Sequence, residues 1–201
     1  MNLKPVYSDY HFLPGYKVEI LPNYQISESR DLVVHQDRLI LITRPIHAKQ
    51  ASNMIHSLFD QKFRPHLSDV PYSIELVLSK TIEDLNTFLI SYPGHPGEAP
   101  TRSGAMLLAI YITPHNHVTF TQVGPITLKE KVAGRYMTRT ANHTFDNPDE
   151  KRRISHTEVP PNLASRFIGH PKVCWIKEDS WRVIISAKPF VKTLNINKED
   201  L

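Results

Sequence analysis

The sequence AMLLAIYITPHNHVTFTQV, residues 105–123, constrains the fold of this chain more than any other segment. Two runs rich in aliphatic, β-branched and aromatic residues flank a short polar Pro-His-Asn-His sequence. Runs of this composition favour strands, and a short polar break between them favours a turn. The segment therefore predicts a β-hairpin.

Further strands are expected on both sides of this hairpin. Residues 31–43 read as two apolar runs around residues 35–38, and residues 172–177 and 181–187 flank a polar turn at 178–180. Both patterns predict hairpins. Shorter strands are expected in the following segments: 17–21, 72–78, 126–132 and 135–139.

Two segments have the spacing of helices that are buried on one side. The first is expected to begin near Pro45 and to end near Phe63, because apolar residues recur there every three or four positions. The second is expected to begin at Thr81, which forms a capping-box pattern with Asp84, and to end before Pro93. Residues 93–104 are rich in Pro and Gly and predict a loop that is mobile or contacts a partner.

These elements do not alternate regularly between strand and helix, so we expect an α+β fold, mainly an antiparallel sheet with two or three helices packed on it. Residues 1–30, with several tyrosines among prolines, predict an extended N-terminal arm, and residues 31–201 a single α+β domain. The side chains expected at or near the core are Leu58, Phe59, Leu85, Phe88, Leu107, Ala109 and Tyr111.

Composition argues against several classes of protein. The single cysteine, Cys174, cannot form an intramolecular disulfide, and its apolar surroundings indicate a buried side chain rather than a nucleophile. With no apolar run of about 18 residues and no signal-peptide pattern, we expect a cytosolic protein. Gly-rich nucleotide loops, paired catalytic acids and a Ser-His-Asp set are not recognisable, so we expect no enzyme and no cofactor.

The basic residues suggest a binding surface. Lys129 and Lys131 precede Arg135 and Arg139 on two neighbouring predicted strands, and Lys151, Arg152 and Arg153 follow. If the two strand faces coincide, these residues form a patch suited to phosphate or anionic lipid. The alternative is an ordinary solvated sheet face and loop.

His115 and His117 have the spacing of two metal ligands on one strand. A third ligand at a recognisable spacing is missing, and both rings can simply face water in the turn. We therefore expect no bound metal.

Residues 39–63, LILITRPIHAKQASNMIHSLFDQKF, resemble the matrix proteins of rhabdoviruses in layout: a strand, an Arg-Pro pair and a helix ending in Phe59-Asp60. The helix from Ile82, the strand from Ala105 and the VPPNLASRF segment follow in comparable order, but a lysine-rich start and a Pro-Pro-x-Tyr motif do not occur. The resemblance implies a non-enzymatic viral structural protein of the virion that self-associates, binds the nucleocapsid and lies beneath an anionic membrane at the inner face of the host cell.

Two alternatives remain. One is a viral accessory protein that binds nucleic acid, such as a movement protein, silencing suppressor or coat subunit, through the same basic strands. The other is a metal-dependent hydrolase that uses His115 and His117.

Overall fold

The computed structural model describes residues 10–13, 16–19, 32–36, 38–46, 49–69, 73–92, 103–113, 117–153, 164–169 and 190–194. The strands are β1 Tyr10–Leu13, β2 Tyr16–Glu19, β3 Leu32–Gln36, β4 Leu39–Ile46, β5 Gly104–Ile112, β6 Val118–Val123, β7 Lys129–Val132, β8 Arg135–Thr138, β9 Ile168–Gly169 and β10 Phe190–Leu194. The helices are α1 Gln50–Asp69, α2 Ile74–Ser91 and α3 Pro148–Arg153. The expected α+β fold with antiparallel sheets and helices is confirmed.

The main sheet has six antiparallel strands in the order β10-β6-β5-β4-β3, and β9 pairs with the first residues of β5. The predicted hairpin of β5 and β6 lies within this sheet, with Ile110 opposite Phe120. All six residues of β6 are buried, so both faces of this strand are covered. A strand covered on both faces usually reads as a continuous apolar run, as β5 does with GAMLLAIYI, whereas β6 also buries the polar residues Thr119, Thr121 and Gln122.

Helices α1 and α2 pack on one face of the sheet. Phe59 and Leu85 from the helices, together with Leu107 and Ala109 from β5, are buried in one apolar cluster, as expected. Leu58 and Tyr111 are partly buried against it. Phe88 is partly buried as well, and its ring centroid lies 5.8 Å from that of Tyr92. A second apolar cluster covers the opposite face, formed by Ile40, Ile42, Leu108, Ile110, Ile112, Val118 and Phe120.

The predicted strand at residues 72–78 is wrong, because α2 already begins at Ile74. Ser73 caps this helix through a hydrogen bond from the Glu75 amide to its Oγ (3.2 Å). Thr81, the predicted cap, is an interior residue of the helix, and its hydroxyl donates to the Val77 carbonyl (2.8 Å). The alternating residues also fit a helix, in which Leu78 is fully buried while Leu76 is 43% exposed.

The bounds of the first helix also differ from the expectation. Pro45 is a residue of β4, and α1 begins at Gln50 and continues through Pro65 to Asp69. Proline removes one helical hydrogen bond, which usually ends or bends a helix. Here Phe63 is buried in the core just before the proline, and His66 just after it bonds Asp84 of α2 through Nε2 (2.8 Å). Contacts on both sides of Pro65 therefore support the last turns of α1.

Several segments that the sequence treated as irregular or left open have defined structure. β1 and β2 form a hairpin within the expected N-terminal arm, and α3 lies within the polar stretch that follows β8. The expected hairpin at 172–187, with Cys174, and the loop at 93–102 lie outside the described residues. The division into an arm and one domain stays a prediction. No described helix is long and apolar enough to cross a membrane.

Candidate functional site: a polar end of the sheet

The first turn of α1 is attached to the start of β5. The first amides of a helix have no partner within the helix and need an external acceptor, for which serine is well suited. Ser103, which immediately precedes β5 and is 8% exposed, accepts a hydrogen bond on Oγ from the Ala51 amide (3.0 Å). The positive end of the α1 dipole is therefore held where β4 ends and β5 begins.

Glycines allow a close approach of strands at the same place. Gly104 of β5 pairs with Gly169 of β9, which has φ +89°. A Cβ on Gly169 would lie 2.7 Å from the Ser103 carbonyl oxygen, so a larger residue does not fit without a shift. The Gly169 amide donates to Asn86 Oδ1 of α2 (3.0 Å), which attaches β9 to both α2 and β5.

Three polar side chains lie between α1 and the sheet at this end. Thr43 of β4 is fully buried, and its Oγ1 lies 2.8 Å from His56 Nε2. Ser52 precedes His56 by one helical turn, so both lie on the same side of α1. We call the group formed by Thr43, Ser52, His56 and Ser103, with the first turn of α1, the polar end of the sheet.

Ser52 is the unusual member of the polar end. It is 3% exposed, and its Oγ has no hydrogen-bond partner in the part of the chain that the structure describes. A buried hydroxyl without a partner costs about 1–3 kcal/mol. Together with the positive end of the helix dipole, such a donor favours an oxyanion ligand. The polar end is therefore the best candidate functional site among the described residues.

Gln122 connects the sheet to the segment that follows β8. This glutamine is fully buried in β6, and its side-chain amide bonds the main chain of Ala141 in both directions, at 2.8 Å and 2.9 Å. Its Nε2 also donates to the Gly124 carbonyl (2.8 Å). Gly124 has φ +92° and lies so close to Met106 that a Cβ would overlap that side chain.

A buried charged group closes this side of the molecule. Glu150 of α3, with a side chain 3% exposed, pairs with Arg166 (2.5 Å) and Arg153 (2.6 Å) and accepts a hydrogen bond from Ser165 Oγ (2.6 Å). Burial alone would raise the pKa of Glu150, but the hydrogen bonds from Arg166, Arg153 and Ser165 lower it to about 2. We call these four residues the Glu150 clasp, and its carboxylate is ionised at neutral pH.

His143 lies beside the clasp. Its carbonyl accepts a hydrogen bond from the Ser165 amide (2.8 Å), and its side chain is 2% exposed. Burial, followed by the positive charge of Arg166, lowers the pKa of His143 to about 4. The imidazole is therefore neutral at pH 7 and serves as a packed side chain.

The structure does not bring the basic residues of β7 and β8 onto one face. In this hairpin Lys129 is opposite Thr138 and Val132 is opposite Arg135. Opposite residues share a face, so Lys129 lies on one face while Arg135 and Arg139 lie on the other. Arg139 donates from Nε to Glu130 Oε2 (2.6 Å), which neutralises its charge. Lys131 belongs to β7 and pairs with Tyr136.

The basic residues of α3 are also partly neutralised. Arg153 belongs to the Glu150 clasp, and Arg152 pairs with Asp149 (2.5 Å) where both side chains are 79% exposed. Lys151 is exposed and forms no ion pair with another described residue. The anion-binding role of these residues stays a prediction. The expected partners also stay predictions: a second copy of the chain, nucleic acid or nucleocapsid, and an anionic membrane. The expected location in the cell is likewise a prediction.

The structure describes one of the two histidines of the His115 and His117 pair. His117 is exposed, and its amide donates to Thr113 Oγ1 (3.0 Å) to close the turn between β5 and β6. His115 lies outside the described residues. Across the described ranges, no three His, Cys, Asp or Glu side chains are grouped closely enough to hold a metal ion.

Sequence reasoning missed the polar end and the clasp. The available signals were weak: a serine just before the β5 glycine, and a serine near the first turn of an amphipathic helix. Neither pattern indicates which strand the helix packs against. Two of the three partners of Glu150, Ser165 and Arg166, follow it by 15 and 16 residues, so helical spacing reveals only the third partner, Arg153.

The sequence matches no known protein-family model. No curated protein matches it either. Solved structures do match the fold. A sex determining protein of C. elegans is 15% identical and has a TM-score of 0.61 over 88% of this chain and 47% of its own. This chain thus spans about half the length of that protein.

Two bacterial enzymes match as well. A serine/threonine phosphatase of S. agalactiae is 13% identical, with a TM-score of 0.55 over 88% of this chain and 71% of its own. A PPM Ser-Thr phosphatase of Mycobacterium smegmatis is 13% identical, with a TM-score of 0.50 over 86% of this chain and 68% of its own. At these identities the likeness shows a shared fold.

The expectation of a non-enzymatic, matrix-like structural protein of a virus is therefore wrong. The fold that this chain adopts is found in serine/threonine phosphatases, which are enzymes, and nothing in these likenesses supports a virion protein. The layout behind that expectation is only partly present, because Arg44 and Pro45 lie within β4, and the helix that follows, α1, does not end at Phe59-Asp60 but continues to Asp69.

Proposed function

We propose that this protein acts on other proteins at phosphorylated serine or threonine, and that it binds the phosphorylated side chain at the polar end of the sheet. The observation that carries the proposal is the fold shared with the serine/threonine phosphatases of S. agalactiae and Mycobacterium smegmatis. Shared fold alone does not define function, so the proposal also needs a site.

The polar end supplies the chemistry for a phosphate group. A phosphorylated serine or threonine carries close to two negative charges and three acceptor oxygens near neutral pH. The first turn of α1 supplies the positive end of the helix dipole, and Ser52 supplies a buried hydroxyl without a partner among the described residues. An oxyanion there would accept a hydrogen bond from this hydroxyl.

The surrounding residues hold this site in place. Ser103 fixes the α1 amide of Ala51, and Thr43 fixes the His56 ring one turn below Ser52. A preorganised donor set binds an anion with less loss of conformational entropy than a flexible one. The role of Thr43, His56 and Ser103 in the proposal is therefore positional.

The proposal is tested by calorimetric titration of the full chain with a phosphoserine peptide and with the same peptide lacking the phosphate. We expect the phosphopeptide to bind at least about tenfold more tightly, because hydrogen bonds to a charged group are worth about 1.5–3 kcal/mol. Release of inorganic phosphate is followed in the same mixtures. Equal affinity for both peptides, with no phosphate release, would contradict the proposal.

Two serines on α1 give a matched pair of variants. Ser52→Ala removes the buried hydroxyl and should reduce the preference for the phosphopeptide. Ser57→Ala removes an exposed hydroxyl that donates to the Met54 carbonyl of its own helix (3.0 Å), and should leave the preference unchanged. The same loss in both variants would show that the phosphate does not bind at Ser52.

A further inference from the structure

The hairpin of β7 and β8 stands outside the main sheet. Its strands pair with each other and with no other described strand. All four residues of β8 are exposed, and Tyr136 (67%) and Met137 (46%) are the most exposed large apolar side chains of the described part of the chain. A short exposed strand with apolar side chains is a place where another strand can add.

The register identifies which main-chain groups are available. The turn consists of Ala133 and Gly134, both with positive φ, and the Arg139 amide donates to the Leu128 carbonyl (2.9 Å). In an antiparallel pair, inward and outward main-chain groups alternate along each strand. The amides of Arg135 and Met137 therefore face β7, and those of Tyr136 and Thr138 face away from it.

The charge of the hairpin indicates what can pair there. Residues 129–139 contain four basic residues and one acidic residue, Glu130. Glu130 forms an ion pair with Arg139, which neutralises its charge. Lys129 and Arg135 are exposed and form no ion pair with a described residue. Basic residues at a strand edge repel a second copy of the same edge, and they attract an acidic strand.

We propose that the outer edge of β8 binds an extended acidic segment of a protein partner, which adds as a third strand to the β7–β8 hairpin. The main chain of the segment bonds the outward groups of Tyr136 and Thr138. Its glutamate or aspartate side chains lie beside Arg135 on one face of the added strand, and its apolar side chains cover Tyr136 on the other face. This surface recognises carboxylates and extended backbone and needs no phosphate, so it is independent of the function proposed for the polar end.

The experiment is amide hydrogen exchange of the full chain, read at single residues by NMR, with a synthetic peptide of alternating glutamate and valine. We expect exchange at Tyr136 and Thr138 to be fast in the free protein and to slow by about tenfold or more with the peptide. The inward amides of Arg135 and Met137 should be protected throughout. A peptide of alternating lysine and valine should have no effect.

Matched variants locate the binding. Arg135→Glu should weaken binding of the glutamate peptide, whereas Arg152→Glu, a reversal at an exposed arginine of α3, should not. Tyr136→Pro removes one outward amide and should weaken binding more than Tyr136→Ala, which removes only the side chain.

Three results would overturn the inference: protection of the outward amides in the free monomer, protection that grows with protein concentration without peptide, or equal effects of the two peptides. The first would show that the edge is already paired within the chain, the second that a second copy occupies it, and the third that charge does not select the partner. None of these results depends on whether phosphopeptides bind at Ser52.

Discussion

The helix-covered face of the sheet and the Glu150 clasp are stabilised in opposite ways. On that face, α1 and α2 cover β4, β5 and β6 with side chains such as Phe59 and Leu85, which are 1% and 0% exposed. In the clasp, a carboxylate that is almost as buried is held by two arginines and a serine. Apolar burial needs only complementary shape, whereas a buried charge needs each of its partners.

The two regions should tolerate substitutions differently. An apolar core loses stability gradually as volume is removed, because neighbours relax into part of the space. Removing one partner of a buried ion pair leaves the other charge without compensation. The clasp should therefore respond to changes of charge and pH, and the core to changes of size.

The largest effect is expected in the core. Phe59→Ala should lower the free energy of unfolding by about 3 to 5 kcal/mol, since the side chain is buried and its ring packs 5.8 Å from that of Phe63. Urea unfolding measures the change. Leu76→Ala on α2, where the side chain is 43% exposed, is the control and should lose much less. Similar losses in both variants would contradict the described packing of the helices.

The next effect distinguishes a buried ion pair from an exposed one within α3. Glu150→Gln should cost about 3 kcal/mol, because Arg153 and Arg166 then lose their counter-charge. Asp149→Asn removes the partner of Arg152 where both side chains are exposed, and should change unfolding by less than about 1 kcal/mol. If the two variants were equally stable, the clasp would not be a buried charged group.

The smallest of the three effects concerns pH. Because the pKa of His143 is lowered to about 4, the unfolded chain takes up a proton on this residue near pH 6.5 that the folded chain resists. Stability from His143 is thus complete above about pH 6.5 and decreases toward pH 4, by about 2 kcal/mol from pH 7 to about pH 4.5. The contribution of Glu150, with its pKa lowered to about 2, is lost only below that range, from about pH 4.5 downward.

His143→Gln should therefore flatten the pH dependence of the free energy of unfolding between about pH 7 and pH 4.5. His117→Gln, a change at an exposed histidine, serves as the control. The control should keep the pH dependence of the wild-type protein. A pH dependence that is unchanged in His143→Gln, or one that is lost in His117→Gln instead, would contradict the account of the buried imidazole.

The sequence predicted the elements whose partners are close along the chain. The hairpins of β3 with β4 and of β5 with β6 are correct because each pair of strands is joined by a short turn. The start of α2 was missed because Ile74 and Leu78 fit both an alternating strand and a helix. The fully buried Leu78 and the exposed Leu76 distinguish the two only once the helix packs.

The functional surfaces depend on information that is not local. Lys129 and Arg135 were expected on one patch, but the two-residue turn at Ala133 and Gly134 sets a register that places them on opposite faces. Ser52 and Ser103 became part of one site only because α1 begins beside the first residues of β5. Arg166 similarly reaches Glu150 across a gap of 16 residues.

The central claim is that a phosphorylated side chain binds at the polar end of the sheet, and ³¹P NMR of a phosphoserine peptide mixed with the protein tests it most directly. We predict that the phosphate resonance shifts or broadens with the wild-type protein and with Ser57→Ala, and does so much less with Ser52→Ala. Appearance of an inorganic phosphate signal would add hydrolysis to binding. A phosphate resonance that is unchanged by the wild-type protein at concentrations that saturate peptide binding would contradict the claim.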